Sequence, residues 1–389
     1  MDVWVLVGLP IALVAGWLLG QRWTARRRLS LTKGHSSGYA QGLNYLLNDQ
    51  PDRAIDLLVS MVEIDSETVE THLALGTLFR HQGEVERSIR IHQNLIARPS
   101  LTKTERIQAV LNLGLDFKQA GINDRAVSQF NKVVVESSEL RGIAQENLLQ
   151  IYQYEKDWLH AIEVAQKIAG KQDQYGLMVC HFYCELVEQA FVDGDLKGAG
   201  KLLRHAAGFA PVSPRFLLLQ IKMAMLKQKN KVALRWLDRL ITSCPDYRLL
   251  ILDELEECYF DSLTEMQFLE KIYEIARESQ SSALTVVAIA ERVARLAGRQ
   301  AAAALLIEQK PRFSSILLNM KIIALDGIGE SHTDNPVDST QGVVGELMAQ
   351  LMKKSTEYRC HQCGFIAKQL HWRCPGCGEW QSLQFQETN

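Results

Sequence analysis

The sequence predicts an all-α fold: a right-handed solenoid of stacked helix pairs, with one membrane-spanning helix before it and a small metal-binding module after it. Three observations predict this. From about residue 35 to 325 a proline-poor, helix-forming stretch repeats every 34 to 38 residues, an uncharged run opens the chain, and two Cys-x-x-Cys pairs close it. At 389 residues, 47% hydrophobic and with formal charge −2, the composition is globular and suits two or three domains or one repeat array. No basic excess or long charge run points to nucleic acid, and from Thr356 onward three basic residues face three acidic ones.

The opening run, Val3 to Gly20, holds eighteen residues without a charge. At about 1.5 Å per residue it reaches about 27 Å, close to the roughly 30 Å of a bilayer's hydrocarbon core. Trp4, Trp17 and Trp23 sit where interfacial aromatics belong, and Pro10 is placed to kink the helix. A cleaved signal peptide would carry positive charge before the run, but here Asp2 precedes it and Arg22, Arg26, Arg27 and Arg28 follow. Positive residues stay in the cytoplasm, so the first residues face outward and the bulk of the chain is cytoplasmic. We therefore expect an anchor over 1–22 and a basic juxtamembrane segment over 23–34.

The array spans 35–325. Gly76, Phe79, Gly83, Ser88 and His92 stand at offsets 0, 3, 7, 12 and 16. The next repeat places Gly114, Phe117, Gly121, Ala126 and Phe130 at the same offsets, and the preceding one Gly42, Tyr45, Asp49, Ala54 and Leu58. This resembles the tetratricopeptide repeat, with a small residue where two helices cross, an aromatic plug, a turn, and a small then a large residue on the second helix. Crossing positions at 42, 76, 114, 149, 187, 221, 255 and 291 give eight units. Later units are degenerate but keep register, as in Gly194, Ala199, Leu203 and Pro211, with prolines stopping second helices. Stacked pairs present a surface of first helices that binds protein segments. Arg80, His81, Lys118 and Gln119 fall on it and, with Asp124, Arg125 and His181, make up the candidate partner-binding set. For Asp124 and Arg125 a helix start and a surface pair are a sufficient explanation. A second metal site at Cys180 and Cys184, beside His181, would need further ligands that are not near in sequence. Core packing accounts for these two, and likewise for Cys244 and Cys258.

The pattern fails over 326–340, DGIGESHTDNPVDST, a polar linker rich in breakers. A short amphipathic helix over 341–355 follows, with Val344, Leu347, Met348 and Leu351 on one face, and then a module over 356–389. There Cys360 and Cys363 precede Cys374 and Cys377 by ten intervening residues, the spacing of a tetrahedral thiolate site. Gly364 and Gly378 stand where each turn needs positive φ, and Pro375 fixes the second. Sulfur ligands alone suit zinc or a single iron. Four cysteines complete the set, so His361 and His371 are expected at the surface or behind the ligands. Phe365, Trp372 and Trp380 are expected to supply what little apolar core so small a fold can bury.

A membrane helix, about eight repeats and a tail running from YRCHQCGF to WRCPGCGEW make an unusual combination. It resembles the lipopolysaccharide assembly protein B family of Gram-negative inner membranes. The resemblance covers nearly the whole chain and is most specific in that tail, in LFRHQGEVERSIRIHQ (Leu78 to Gln93) and in HFYCEL (His181 to Leu186); the linker and the extreme termini depart from it. It implies a rubredoxin-like, zinc-ribbon module packed against the repeats, its four thiolates being Cys360, Cys363, Cys374 and Cys377. It implies a non-enzymatic adaptor that works with the membrane protease FtsH to promote degradation of LpxC, the deacetylase that commits precursor to lipid A. It further implies communication with an inner-membrane lipopolysaccharide sensor and other assembly proteins, while the periplasmic N-terminus is read from the charge order alone. A homodimer is compatible with such an array.

The chain contains no Gly-rich phosphate loop, no H-E-x-x-H and no G-x-S-x-G, in keeping with a non-enzyme. Two other classes stay open: a non-proteolytic scaffold for envelope-synthesis enzymes, and a membrane-bound electron carrier using a rubredoxin-like iron.

Overall fold

The computed structural model describes residues 41, 44–45, 50–64, 69–169, 174–313, 316–326 and 356–387. The expected anchor over 1–22, the basic segment over 23–34, nearly all of the linker over 326–340 and the short helix over 341–355 lie outside them. Among the described residues no helix is long and apolar enough to cross a membrane.

The chain divides into two compact units between Lys156 and Asp157. The first contains α1 (Pro51–Ile64), α2 (Val69–His81), α3 (Val85–Ile96), α4 (Lys103–Gln119), α5 (Asn123–Glu136) and α6 (Arg141–Glu155). The second begins with α7 (Trp158–Ala169), α8 (Gln174–Val192), α9 (Leu196–Ala206), α10 (Pro214–Leu226) and α11 (Asn230–Ser243). A 3-10 turn over Pro245–Ile251 leads to α12 (Leu252–Ser262), α13 (Glu265–Arg277), α14 (Ala283–Leu296), α15 (Arg299–Gln309) and α16 (Ile316–Asp326). Strands β1 (Thr356–Cys360), β2 (Ile366–Ala367) and β3 (Leu383–Glu387) close the chain as an antiparallel sheet ordered β2-β1-β3. Both units are built from tetratricopeptide-like helix pairs.

Helix starts are written locally. Thr102 and Thr264 each form a capping box with a residue three further on, Glu105 and Gln267, so backbone donors that the helix leaves free are satisfied in both directions. The expected crossings also form. A Cβ on Gly76 would lie 2.6 Å from the His92 ring, and one on Gly114 would lie 2.8 Å from the Phe130 ring, so only glycine lets these helices approach. Arg87 lies over Phe79 at 5.0 Å and Arg125 over Phe117 at 5.7 Å, which caps the aromatic plug in both repeats.

Seven residues after six of the expected crossings the chain turns through left-handed backbone, at Gly83, Gly121, Lys156, Gly194, Gln228 and Gly298; Ser262, seven after the crossing at 255, does not, and position 49 lies outside the described residues. A Cβ at Gly121 would meet no atom, so the requirement there is conformational. Gly121→Ala is expected to destabilise the first unit by about 1–2 kcal/mol, and Gln228→Gly to stabilise the second by somewhat less. Urea titrations read by hydrogen exchange of α4–α5 and of α10–α11 would measure both, and a stabilising Gly121→Ala would contradict the turn assignment.

The eighth unit departs from expectation. Its turn at Gly298 keeps register, but Glu291, expected at the crossing, is exposed and binds Lys321 of α16. The buried stripe of α14 runs instead through Ala283, Val286, Val287, Ala290 and Val293. Glu291 lies one residue past it, turned toward the helix that covers the end of the array.

Two cores result. In the first unit Ala54 and Leu58 of α1 pack with Leu75, Leu78 and Phe79 of α2. In the second a continuous core runs from Cys180 to Leu318, with Cys180, Cys184, Cys244 and Cys258 all buried in it as free thiols.

One polar cluster interrupts the apolar pattern of the first unit. Asp116 of α4 is fully buried and accepts from Ser88 Oγ at 2.7 Å, from Arg80 at 2.8 Å and from His92 Nδ1 at 2.5 Å. Ser88 Oγ also lies 2.7 Å from the Gly76 carbonyl, so its single proton is shared between the two acceptors. The small-then-large pair of the second helix is therefore Ser and His here because the next helix presents a carboxylate to it.

Candidate metal centre

The two cysteine pairs fold into matching turns. After Cys360, Gly364 N donates back to the Cys360 carbonyl at 2.9 Å, while Cys360 N donates to the Phe365 carbonyl at 2.8 Å. After Cys374 the same bonds recur, Gly378 N to Cys374 at 2.9 Å and Cys374 N to Glu379 at 2.8 Å. Gly364 and Gly378 both take φ of +75°, as each turn requires.

These turns bring the four sulfurs within 4.8 Å of one another. The Cys360–Cys377 and Cys363–Cys374 separations are 3.7 and 3.6 Å. Zinc–sulfur bonds of about 2.3 Å in a tetrahedron place sulfurs about 3.8 Å apart, so the donor set fits one tetrahedral ion, iron or zinc. Burial pushes the Cys360 thiol up, but the Ser382 hydroxyl and the amides of Cys363 and Gln362 donate to its sulfur and hold it down at about 6. At Cys377 the Glu379 amide pulls the same way, yet burial and the three neighbouring sulfurs push it up to about 12. Four thiolates this close cannot be charged together without a cation between them, and a bound divalent ion supplies it. Cys360 and Cys374 are buried, whereas Cys363 and Cys377 stand at the surface.

His361 and His371 are exposed and contribute no ligand atom to the cluster. His361 has a local task, its Nδ1 lying 2.8 Å from the Ser382 carbonyl, which ties the first turn to the start of β3.

The expected module core is different. Phe365 is 37% exposed, and the interior is formed by Cys360, Cys374 and Leu383 with Tyr358, Ala367 and Leu370 beside them. Trp372 and Trp380 face outward onto the helices of the second unit. Trp380 stacks on His181 at 4.9 Å and meets Phe182 and Trp158 edge-on at 5.8 and 6.2 Å. Trp372 stacks on Tyr247 at 5.8 Å. Arg215 of α10, 3% exposed, lies near 6 Å from both indoles and binds Glu185 and Glu188 of α8 at 2.8 and 3.0 Å. Ser213 donates to Gln381 at 3.2 Å across the same contact. The module and α7–α10 thus share one desolvated aromatic and cationic clasp. Sequence reading reached His181 and the two tryptophans but missed Arg215, whose only local mark is a place after Pro214 at a helix start.

Burial, reinforced by the positive charge of Arg215, lowers His181 to about 3, with Gln381 acting weakly against it. The imidazole is therefore neutral when docked and protonates in the unfolded chain below about pH 6.5. Because the unfolded state binds the extra proton, docking stability falls as pH drops from about 6.5 toward 3, by roughly 2 kcal/mol at pH 5. Hydrogen exchange of β1–β3 at pH 7 and pH 5 would register the loss, and His181→Phe should remove most of this dependence. An unchanged dependence in that variant would assign it elsewhere.

The other candidate partner-binding residues lie in the first unit. Arg80 is turned into its own fold, bound to Asp116 and to the Asn112 carbonyl and side chain, both at 3.3 Å. Lys118 donates to Asn147 at 2.7 Å and to Gln150 on α6, and burial lowers its ammonium. His81, Gln119, Asp124 and Arg125 are exposed. His181 is fully buried by the docked module.

Comparison with known proteins matches this geometry. Residues 358–384 match the family model described as "Rubredoxin metal binding domain". Over 378 residues the chain is 33% identical to "Lipopolysaccharide assembly protein B" of Escherichia coli K12, covering 97% of this chain and 96% of that one. The chain belongs to the lipopolysaccharide assembly protein B family. The family's protein from Haemophilus influenzae is 30% identical over 388 residues, again covering 97% of this chain and 96% of its own. Among solved structures, a tetratricopeptide repeat protein from Parabacteroides merdae covers 74% of this chain and 96% of its own, at 10% identity and a TM-score of 0.34.

Proposed function

We propose that the chain is an inner-membrane adaptor that limits lipid A synthesis by presenting the LpxC deacetylase to the protease FtsH. The observation that carries this reading is family membership over 97% of the chain, joined to helix pairs of a kind that bind protein segments. The clasped metal module supports it, since a module fixed on the helices adds a second fixed surface for a client. In this reading the uncharged run at Val3–Gly20 spans the inner membrane once, with its N-terminus periplasmic and the array cytoplasmic. It contacts the lipopolysaccharide sensor, while the exposed His81, Gln119, Asp124 and Arg125 lie on the client surface and Arg80 and Lys118, bonded within the fold, stand beside it. The protein catalyses no reaction of its own.

Anchoring confines a bound client beside a membrane protease and raises its effective concentration there. Removing the first 22 residues at native expression is therefore expected to lengthen the LpxC half-life severalfold even though the array still folds. Unchanged LpxC turnover in that strain would contradict the anchored-adaptor mechanism.

A further inference from the structure

The second unit carries a groove that takes no part in the metal clasp. It lies between α10 and α12, holds about 600 Å³, and has aliphatic walls that include Leu218, Met225 and Leu250. Three charged side chains, Lys222, Glu254 and Glu257, also line it.

The pairing of α12 shows that these carboxylates differ from their neighbours. Arg292 binds Asp253 and Glu256, Arg295 binds Glu256 again, and Asp261 accepts from Asn230. Among the described residues the acidic side chains of α12 that form no ion pair or side-chain bond are Glu254 and Glu257, and both line the groove. Oε2 of Glu254 is shut off from water with no donor. Lys222 does not supply one, because its ammonium lies over the Phe191 ring at 5.5 Å.

A carboxylate oxygen that folding has already stripped of water gives up little more when a cation arrives, and the surrounding low dielectric strengthens the attraction. Aliphatic walls reward apolar neighbours of that cation. We infer that this groove binds a protein segment in which a lysine or arginine stands between aliphatic side chains. An acidic segment would bring like charge against Glu254 and Glu257, and a purely aliphatic one would leave both carboxylates unpaired. The inference rests on the reading that the helices hold a client, and it names the chemistry the client must present.

The test uses the full chain in detergent micelles and three fluorescein-labelled leucine-rich heptapeptides whose central residue is lysine, norleucine or glutamate. The lysine peptide should bind about tenfold more tightly than the norleucine peptide, as expected for one charge-assisted contact, and the glutamate peptide should bind more weakly than either. In a chain carrying Glu254→Gln and Glu257→Gln, lysine affinity should fall to the norleucine level while norleucine affinity stays unchanged. Should the double variant not fold, Glu257→Gln alone, at an exposed position, should remove part of the lysine advantage. Equal affinity for lysine and norleucine, a preference for glutamate, absence of saturable binding, or a lysine advantage undiminished in the variants would overturn the inference. Failure of the adaptor reading would instead leave LpxC turnover independent of this protein, with the peptide preferences intact.

Discussion

Cys374→Ser, or removal of the metal by a chelator, is expected to unfold residues 356–387 while leaving the helices of both units intact. The module's own core is little more than two of its ligand cysteines and Leu383. A structural zinc site of this kind supplies on the order of 10 kcal/mol of folding free energy, far more than so small a core provides. Loss of the ion leaves thiolates 3.6 to 3.7 Å apart with no counter-charge, so they protonate and the turns open. Trp372 and Trp380 then leave their seats, uncovering His181, Phe182 and Trp158. Exchange protection of β1–β3 should disappear, tryptophan fluorescence should change, and helical circular dichroism should stay near its original value. Protected strands in the metal-free chain would contradict the assignment of the ion as the module's main stabiliser.

Asp116→Ala should destabilise the first unit by about 3–5 kcal/mol, a large effect for one side chain. The substitution leaves the fully buried His92 Nδ1 without a partner and removes one acceptor each from Arg80, which keeps Asn112, and from the fully buried Ser88, which keeps the Gly76 carbonyl. Asp116→Asn keeps the shape and one acceptor, so its cost should be smaller. Hydrogen exchange of α2–α5 under increasing urea would rank the variants. A cost under about 1 kcal/mol for Asp116→Ala would mean that water or a rearranged Arg80 satisfies the stranded groups.

Asp116 also marks where sequence reading stops. Offsets of 0, 3, 7, 12 and 16 located crossings and turns because each depends on one residue's size or backbone freedom, which is local information. The same offsets returned Ser88 and His92 where the next repeat has Ala126 and Phe130. That polarity hinted at a polar partner, but finding Asp116 requires knowing what the neighbouring helix presents, a fact of packing. The tail behaves likewise. Ligand spacing and the two glycines were legible because a thiolate turn is a local structure. The roles of Trp372 and Trp380 were not: the family resemblance implied packing against the repeats without saying which side chains make it, and the partners of these indoles begin more than two hundred residues earlier, at Trp158. Glu291 was misplaced by a single residue because Lys321 and α16, which decide its direction, lie outside the repeat period.

The clasp gives the family's architecture a physical reading. A metal holds two turns, the turns hold two indoles, and the indoles enclose an arginine that α8 has already neutralised. Each step excludes water from the next, so the module behaves as part of the second unit.

The proposed adaptor role acts through LpxC stability. It is tested most directly by the LpxC half-life in cells depleted of this protein, with FtsH present throughout. The adaptor account predicts a half-life lengthened severalfold and rescued by the intact chain. An unchanged half-life alongside reduced envelope output would contradict it and favour a scaffold that gathers biosynthetic enzymes without directing their degradation.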